Sequence, residues 1–549
     1  MKFHLTKILI LLLLAKGILF SQETSRAYSF KIDLASESIR NHTQALASDE
    51  FEGRGTGTKG GNLAADYIAQ EFLKCGLTPV ANNNSYFQNI PMHGSFPLKS
   101  SELKLYYEEK EIILQLKEDY LIYKSGQQTF IPAPLELVFV GYGIIAPEFD
   151  YNDYQSVDVE GKIAVFLDGE PQSDNPDFFN GDLPTIYNYP TAKQRIAYSR
   201  GAAGSIEIPD IKHFDWSTEV NDFVFEDVSL AYSASNNLSV LINPSIADVL
   251  FSDAEYTFSQ VVQMRDEKKI LSFPLNTKIS FRGEYIQRDF LSQNIAGMIK
   301  GSDFELQNTY LIISAHYDHL GIGPKANGDS IYNGALDNAI GVSVLLELAR
   351  QFSSSNNSFK RSIIFLAVTG EEKGLLGSTY YTDNPLVPLY KTIANLNIDG
   401  IALFKDFQSI IGVGAEYSTL ENYLLETASR FELQVDSIPP QFKVFEAFNQ
   451  SDQISFASAG IPSILVLEGI KNKHKSEGEV LNAFIDYVVN RYHTPFDDLS
   501  QDIDFIAAAQ HTEVLFDFSL SLVNSDETPE WKSGSPFINA RLRSIAERR

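Results

Sequence analysis

Five short stretches of this chain carry histidine or carboxylate side chains that could bind metal ions. In chain order they are HYDH at 316–319, GALDN at 334–338, GEE at 370–372, NIDG at 397–400 and YHTP at 492–495. Imidazole nitrogens and carboxylate oxygens are ligands that zinc takes, and a catalytic zinc site keeps one position open for water. Two such ions about 3.5–4 Å apart can clamp the attacking and leaving oxygens of a hydrolysis. The residue types therefore indicate a metallohydrolase with a pair of zinc ions.

The first stretch pairs a histidine with a carboxylate. His316 follows the apolar run 311–315, and Asp318 comes two positions later. A zinc-binding imidazole usually donates its second N–H to a carboxylate, which fixes the tautomer and direction of the ring. Since residues i and i+2 of an extended segment point to the same side, we expect His316 to be a ligand and Asp318 to orient it. His319 is expected to be structural.

Three more carboxylates follow in the next two stretches. Asp337 lies in a glycine-bounded loop before a helix, where it could be an N-cap. We favour a ligand role, because one carboxylate can bridge two metals. Glu371 and Glu372 come directly after the apolar strand 363–368. Since adjacent side chains point in different directions, one glutamate can be a ligand and the other a general base. An acidic first helical turn would explain either one alone, but not their place behind a buried strand.

Asp399 and His493 complete the expected ligand set. Two further acids have open interpretations. Asp452 could be a helix N-cap or an acid behind the ligands, and Asp497 could orient a ligand or belong to a turn.

The elements around these stretches indicate the fold. After residue 281 strand-like and helical patterns alternate, with strands at 294–299, 309–314, 362–368 and 393–398 and a helix at 338–352. Such alternation predicts an α/β domain with a mostly parallel mixed sheet flanked by helices. Ligands gather beyond the carboxyl ends of such strands, and several candidate residues follow strands directly.

The length of 549 residues exceeds one ordinary domain. Short strand-like runs and the absence of ligand motifs set one stretch apart as a smaller β-rich insert. The expected division is an export signal at 1–21, the first part of the catalytic domain at 22–119, the insert at 120–275, the main catalytic part at 276–525 and a C-terminal tail at 526–549.

The N-terminus and the composition restrict location and partners. A basic start, an apolar run at 8–15 and small residues near position 21 are typical of an export signal. The run is too short to span a bilayer, so we expect a periplasmic or secreted protein with no membrane association after cleavage. The net charge of −27 argues against nucleic-acid binding. Cys75 is the only cysteine, which excludes an intramolecular disulfide.

A glycine-rich loop at 53–61 contains a GxGxxG match at Gly55, Gly57 and Gly60. Dinucleotide binding requires a strand immediately before such a loop. The preceding residues 36–48 look helical, so we interpret the loop as a wrap around the entrance of the domain.

Together these motifs resemble the di-zinc aminopeptidases, a family that includes secreted bacterial leucyl aminopeptidases and, more distantly, glutamate carboxypeptidase II and the transferrin receptor. Residues 52–61 also look like the N-terminal region of that family. The segment from 138 to 204 is similar to the protease-associated domain that is often inserted in it. The motifs that carry the resemblance are SAHYDHLG at 314–321, GALDNA at 334–339, TGEEKGLLGS at 369–378, NID at 397–399 and YHTPFD at 492–497.

The resemblance implies a role for each candidate. Glu371 would be the base that deprotonates the attacking water, and Asp337 would bridge the two ions. The remaining ligands would divide into His316 with Asp399 for one zinc and Glu372 with His493 for the other. One departure stands out: many relatives have Arg-Ser-Asp-His where this chain has QSDQ at 450–453, which puts a substrate-handling role of that loop in doubt.

We therefore expect an exported zinc aminopeptidase that removes N-terminal residues from peptides. One alternative is a glutaminyl cyclase, which has a related fold and uses a single zinc. Another is a non-catalytic binding protein on the same scaffold, as the transferrin receptor illustrates. Metal stoichiometry, the preference for amino-acyl or glutaminyl substrates, and peptide turnover separate the three.

Overall fold

The structure is a computed structural model that describes residues 28–547, except 124–129, 174, 176–177, 180–184, 186, 211–215, 234–236, 356–358, 401 and 439–447. The expected export signal at 1–21 lies outside the described residues. Among the helices within these bounds, none combines the length and apolarity that a membrane span needs.

The strands, numbered along the chain, are β1 Thr78–Pro79, β2 Phe87–Pro97, β3 Glu102–Tyr107, β4 Lys110–Leu114, β5 Tyr120–Ile122, β6 Phe130–Val140, β7 Ile145–Ala146, β8 Tyr151–Asn152, β9 Ile163–Leu167, β10 Gly204–Ile208, β11 Asp227–Leu230, β12 Leu238–Ile242, β13 Ser272–Arg282, β14 Tyr285–Ile299, β15 Tyr310–His316, β16 Gly321–Ala326, β17 Asp329–Tyr332, β18 Ser362–Val368, β19 Thr392–Asn397, β20 Ser409–Val413, β21 Gln434–Val435 and β22 Ser463–Glu468.

The α-helices are α1 Ile32–Leu46, α2 Lys59–Lys74, α3 Pro190–Ser199, α4 Trp216–Asp222, α5 Ala247–Leu250, α6 Phe258–Asp266, α7 Ile340–Ser354, α8 Leu376–Asp383, α9 Leu420–Arg430, α10 Gln453–Ser458, α11 Glu477–Asn490, α12 Phe505–Asn524 and α13 Ile538–Ala546.

The larger sheet has ten strands in the order β11-β2-β14-β18-β15-β19-β22-β20-β21, with β1 paired to β14. Its centre, β18-β15-β19-β22, is parallel, whereas β14 and β20 pair antiparallel on either side. Helices α1, α7 and α12 pack together over one face. Leu311 and Ile313 face this helical core, and Ile312 faces the opposite core. Because both faces are covered, the central strands are continuous apolar runs. The predicted α/β fold, a mixed sheet flanked by helices, is confirmed.

A second sheet has eight strands in the order β4-β3-β13-β6-β9-β10-β12-β5. It encloses its own apolar core and coincides broadly with the expected insert. Its hairpin β3–β4 lies before the expected boundary at 120, and the expected boundary at 275 falls inside β13. Both differences arise because β13 pairs with β3 on one side and with β6 on the other. Pairing with strands so distant in sequence leaves no local signal, and the division into domains stays a prediction.

One strand of the inserted region joins the larger sheet. β11 pairs antiparallel with β2, and just before it Glu226 forms an ion pair with Arg288 of β14, with 2.6 Å between Oε2 and Nη2. Farther on, the Tyr232 hydroxyl donates to Asp383 at 2.7 Å. These contacts attach residues 226–232 to the larger sheet and to α8.

The C-terminal segment also packs on the larger sheet. Trp531 donates its indole N–H to the Gly460 carbonyl at 2.9 Å, and Arg541 donates to the Thr392 carbonyl at 3.1 Å. The expected tail at 526–549 is thus anchored and contains α13.

Candidate metal centre

The candidate ligands meet at one edge of the larger sheet. His316 is the last residue of β15, Glu371 and Glu372 follow β18, and Asp399 follows β19. These three strands are parallel neighbours, so their carboxyl ends lie side by side. Asp337 reaches the same edge from the loop that leads into α7.

Two clusters share one carboxylate. On one side, His316 Nε2 lies 3.3 Å from Asp337 Oδ1 and 3.4 Å from Asp399 Oδ1. On the other, His493 Nε2 lies 3.4 Å from Asp337 Oδ2 and 3.0 Å from Glu372 Oε2. The two oxygens of Asp337 therefore face different imidazoles, as the sequence-based pairing of ligands expects. The peptide bond that follows Asp337 is cis.

Glu371 lies beside the first cluster. One of its oxygens is within 4.8 Å of donor atoms of His316 and Glu372. Burial raises its pKa well above the ordinary value, the charge of His316 opposes this, and the carboxylates of Glu372 and Asp399 raise it further. A carboxyl group with a raised pKa can both accept and return a proton near neutral pH.

Asp318 has a different contact from the one expected. Its Oδ1 is 3.9 Å from Nδ1 of His316, too far for a hydrogen bond, and the same nitrogen lies 3.2 Å from the Asp318 backbone carbonyl. The carboxylate instead accepts from the Thr56 hydroxyl at 2.9 Å and from the Glu371 amide at 3.1 Å. Asp318 thus orients the ring through its carbonyl, and its side chain connects the loops around it.

His319, which the sequence suggests is structural, lies inside the centre. It is fully buried. Its Nδ1 is 2.6 Å from Glu372 Oε1 and 3.9 Å from Asp337 Oδ2. The motif HYDH does not indicate whether His319 lies at the metal centre or in the hydrophobic core.

Arg54 supports the ligand loops and was missed as a site residue. The fully buried guanidinium donates to the carbonyls of Tyr317, Leu46 and Gly334 at 2.8 Å and of Asn333 at 2.5 Å. Burial lowers its pKa to about 10, so the group stays charged at neutral pH. The one signal in the sequence for a role of Arg54 is its position in the glycine-rich loop. That loop lines the candidate metal centre rather than an entrance of the domain.

Tyr492 is a second residue that the sequence analysis did not assign. Its ring stacks on His493, with centroids 3.8 Å apart and planes at 18°. Desolvation and the carboxylates of Asp337 and Glu372 raise the pKa of its phenol above the ordinary value. The phenol is therefore protonated at neutral pH and can donate a hydrogen bond beside the ligands.

The structure separates the alternatives for Asp497 and Asp452. Asp497 accepts from the backbone amides of Leu336 and Asp337, both at 3.0 Å, so it orients the loop of a candidate ligand. Asp452 forms no cap bond with α10. It is fully buried, and burial raises its pKa to about 7. We therefore interpret Asp452 as an acid behind the ligands.

The unusual glutamine of the QSDQ loop has a structural contact. Gln453 accepts from the Asn397 amide and donates to the Phe448 carbonyl, each at 2.9 Å. Its side chain is buried, and both of its polar atoms are used within the protein.

The residues present fit metal ions. Three groups of side chains each bring ligand atoms within 4.8 Å of one another: His316 with Glu371 and Glu372, His316 with Asp337 and Asp399, and His319 with Asp337 and Glu372. Imidazole nitrogens and carboxylate oxygens are donors that zinc takes. In the described part of the chain, the buried His493 Nε2 has no hydrogen-bond partner of suitable geometry. Several buried carboxylates lie close together here, and a bound cation would relieve their mutual repulsion.

Part of the chain is similar to a known protein family. Residues 294–519 match the model of Peptidase family M28. Aminopeptidase YwaD of Bacillus subtilis is 29% identical over 237 residues, 41% of this chain and 45% of the relative. A probable zinc metalloprotease of Pyrenophora teres f. teres is 26% identical over 246 residues, 43% of this chain and 49% of the relative. The chain thus spans less than half the length of these curated relatives.

Among proteins of known structure, an aminopeptidase from Aneurinibacillus sp. strain AM-1 superposes with a TM-score of 0.53 at 20% sequence identity. The match covers 90% of this chain and 95% of that one. The match therefore extends beyond residues 294–519, and the two chains share a fold.

Proposed function

We propose that this chain is an exported metallopeptidase with two zinc ions that removes N-terminal residues from peptides. The observation that carries the proposal is the pair of clusters that share Asp337, with Glu371 beside them. The match to Peptidase family M28 and the aminopeptidases among the relatives support it. Export is supported by the leader-like sequence of the first residues.

In the proposed site, His316 and Asp399 would hold one ion and Glu372 and His493 the other, and Asp337 would contribute to both. Zinc in such a site acts as a Lewis acid that polarises a carbonyl and acidifies water. The rest of the chemistry is assigned to side chains of this chain.

Glu371 accepts a proton from the attacking water and returns it to the departing amine, which its raised pKa suits. The Tyr492 ring stacks on His493, and we assign to its hydroxyl a hydrogen bond to the carbonyl oxygen, where negative charge develops during attack. The cluster of carboxylates gives the free α-ammonium group of a peptide a favourable electrostatic environment.

The test is a panel of substrates assayed with the measured metal content. Amino-acyl anilides, the same compounds with an acetylated amine, and N-terminal glutaminyl peptides are compared for the native protein, the chelated protein and the protein restored with zinc. We expect close to two zinc ions per chain, hydrolysis that requires a free amine, and recovery on restoration. Pyroglutamate formation with one ion would establish a cyclase instead, and two bound ions without any turnover would establish a binding protein.

A further inference from the structure

The two oxygens of the Glu372 carboxylate contact different histidines. Glu372 Oε2 faces His493 Nε2 at 3.0 Å, whereas Oε1 lies 2.6 Å from His319 Nδ1. The His319 side chain is fully buried and that of Glu372 is 3% exposed, so water does not compete for this contact. A charge-assisted N–H···O bond of this length is strong.

A ligand role for His319 conflicts with this geometry. A zinc ion lies about 2.0–2.1 Å from a ligating nitrogen and requires its lone pair. Two atoms bound to one tetrahedral zinc at that distance lie about 3.3 Å apart, as Nε2 of His316 and of His493 lie from Asp337. Nδ1 of His319 lies only 2.6 Å from a carboxylate oxygen, which has no proton to give when ionised. The proton of that bond therefore belongs to Nδ1. The opposite nitrogen, Nε2, is buried and has no hydrogen-bond partner among the described residues.

The surrounding backbone leaves space for the ring at this place. Gly334 precedes Ala335 with φ of +57°, and a Cβ added there would lie 2.6 Å from Cδ2 and Cγ of His319. That glycine thus provides room for the imidazole against the ligand loop. The ring is held between this loop and the glutamate.

We propose that His319 is a positioning residue: it donates Nδ1–H to Glu372 Oε1 and so leaves Oε2 directed at the second metal position beside His493. This inference rests on the proposed function, because it assigns Glu372 to that metal. It also explains how neighbouring glutamates keep separate roles, since Glu372 is fixed while Glu371 remains available for proton transfer.

The test compares His319→Asn, whose amide can donate from about the position of Nδ1, with His319→Leu, which cannot donate. Zinc stoichiometry and stepwise affinity are measured by competition with a chromophoric chelator, and the cobalt-substituted protein is examined by visible absorption. For His319→Leu we expect weaker binding of one ion by about 10–100-fold, the usual effect of losing such a partner, with an altered cobalt spectrum. His319→Asn should recover most of the affinity and the spectrum. His474→Asn, at an exposed loop, is the matched control.

Two results would overturn the proposal: wild-type affinity and spectrum in His319→Leu, or an equal loss in both variants. Urea midpoints for all variants show whether a loss is due to unfolding, and if the leucine variant does not fold, the asparagine variant decides alone. A wild-type protein that binds two ions but hydrolyses no peptide would refute the proposed function and leave this measurement intact.

Discussion

The backbone amide of Glu371 donates a hydrogen bond to Oδ1 of Asp318, 3.1 Å away. The other oxygen of that carboxylate accepts from the Thr56 hydroxyl. The backbone of Glu371, the proposed base, is therefore held in place by the stretch that carries His316. A fixed backbone position matters because a side chain that transfers a proton must lie within hydrogen-bond reach of the reacting group.

Glu371→Gln should separate chemistry from metal binding. The amide cannot take a proton, so we expect kcat to fall by about 10²–10⁴-fold, the range for a lost general acid or base, with zinc content near normal. Glu372→Gln is the matched control, one residue away, and should weaken metal binding instead. Elemental analysis and steady-state kinetics on both variants check this, and reversed phenotypes would exchange the two assignments.

Asp337→Asn should affect both metal positions. Each oxygen of Asp337 faces a different histidine, and the amide removes the negative charge while keeping the shape. We expect both stepwise zinc affinities to decrease. Asp399→Asn is the comparison and should weaken one ion only. Retention of one ion with unchanged affinity in Asp337→Asn would contradict a shared carboxylate.

Arg54→Lys should destabilise the protein although it preserves the charge. A lysine has one nitrogen and cannot reach the four carbonyls that accept from the guanidinium. Partners left buried and unsatisfied cost about 1–3 kcal/mol each, so we expect the free energy of unfolding to fall by at least about 3 kcal/mol. Urea unfolding measures the loss, and the exposed Arg543→Lys should stay within about 0.5 kcal/mol of wild type.

His511 should make the folded state sensitive to acid. Burial lowers its pKa from 6.5 to about 4, and its Nδ1 accepts from the Ala402 amide at 3.1 Å. The unfolded chain therefore binds a proton at a higher pH than the folded chain. Stability from this group is complete above pH 6.5 and is lost as pH falls toward 4.

The variant for this prediction is His511→Asn, which can still accept from Ala402. Between about pH 7 and pH 4.5 it should lose less unfolding free energy than wild type, by about 2–3 kcal/mol. Denaturant titrations across this range measure the difference, and at about pH 8, where neither state of the imidazole is protonated, they isolate any loss of packing. Parallel profiles of the two proteins would contradict the assignment.

Phe225→Ala should alter substrate binding without removing zinc. Phe225 belongs to the inserted region, stacks edge-on against Tyr332 at 5.0 Å and lies 5.3 Å below the Lys373 ammonium. Lys373 adjoins Glu372, so the contact extends from the insert to the centre. We expect KM to rise by up to about 10-fold, as the loss of an aromatic pair worth about 0.5–1.5 kcal/mol permits.

The control for this change is Phe130→Ala, an exposed phenylalanine at the start of β6 in the second sheet. Kinetics on dipeptides and on longer peptides, with zinc measured in each preparation, are the readout. Unchanged KM for every length of substrate would rule out a role of the insert in binding, and loss of zinc would show that the insert is needed to form the site.

The sequence predicted those features whose signal is local. Residues 362–368 are a strand with the predicted limits because every side chain in them is buried. The helix after Asp337 begins at Ile340 rather than 338, because residues 335–339 form a wider π-type turn, in which the Ala339 amide donates to the Gly334 carbonyl. Convergence of the ligand motifs followed from one rule about parallel strands. The contacts of Arg54 span 263 and 280 residues, and the pairing of β11 with β2 joins Asp227 to Ser95, which are far apart in the chain. Neither leaves a pattern within a short window.

The positions of Arg54 and Asp497 have a consequence for the timing of activity. The loop that carries Asp337 is held from one side by Arg54 through the carbonyl of Gly334 and from the other by Asp497 through two amides. During synthesis the first of these residues emerges hundreds of positions before the second, and contacts between such distant segments form late in folding. A nascent chain that has not reached residues 492–497 lacks both a candidate ligand and one support of its loop. We therefore expect the candidate metal centre to be completed only after the segment 492–497 has been synthesised and folded.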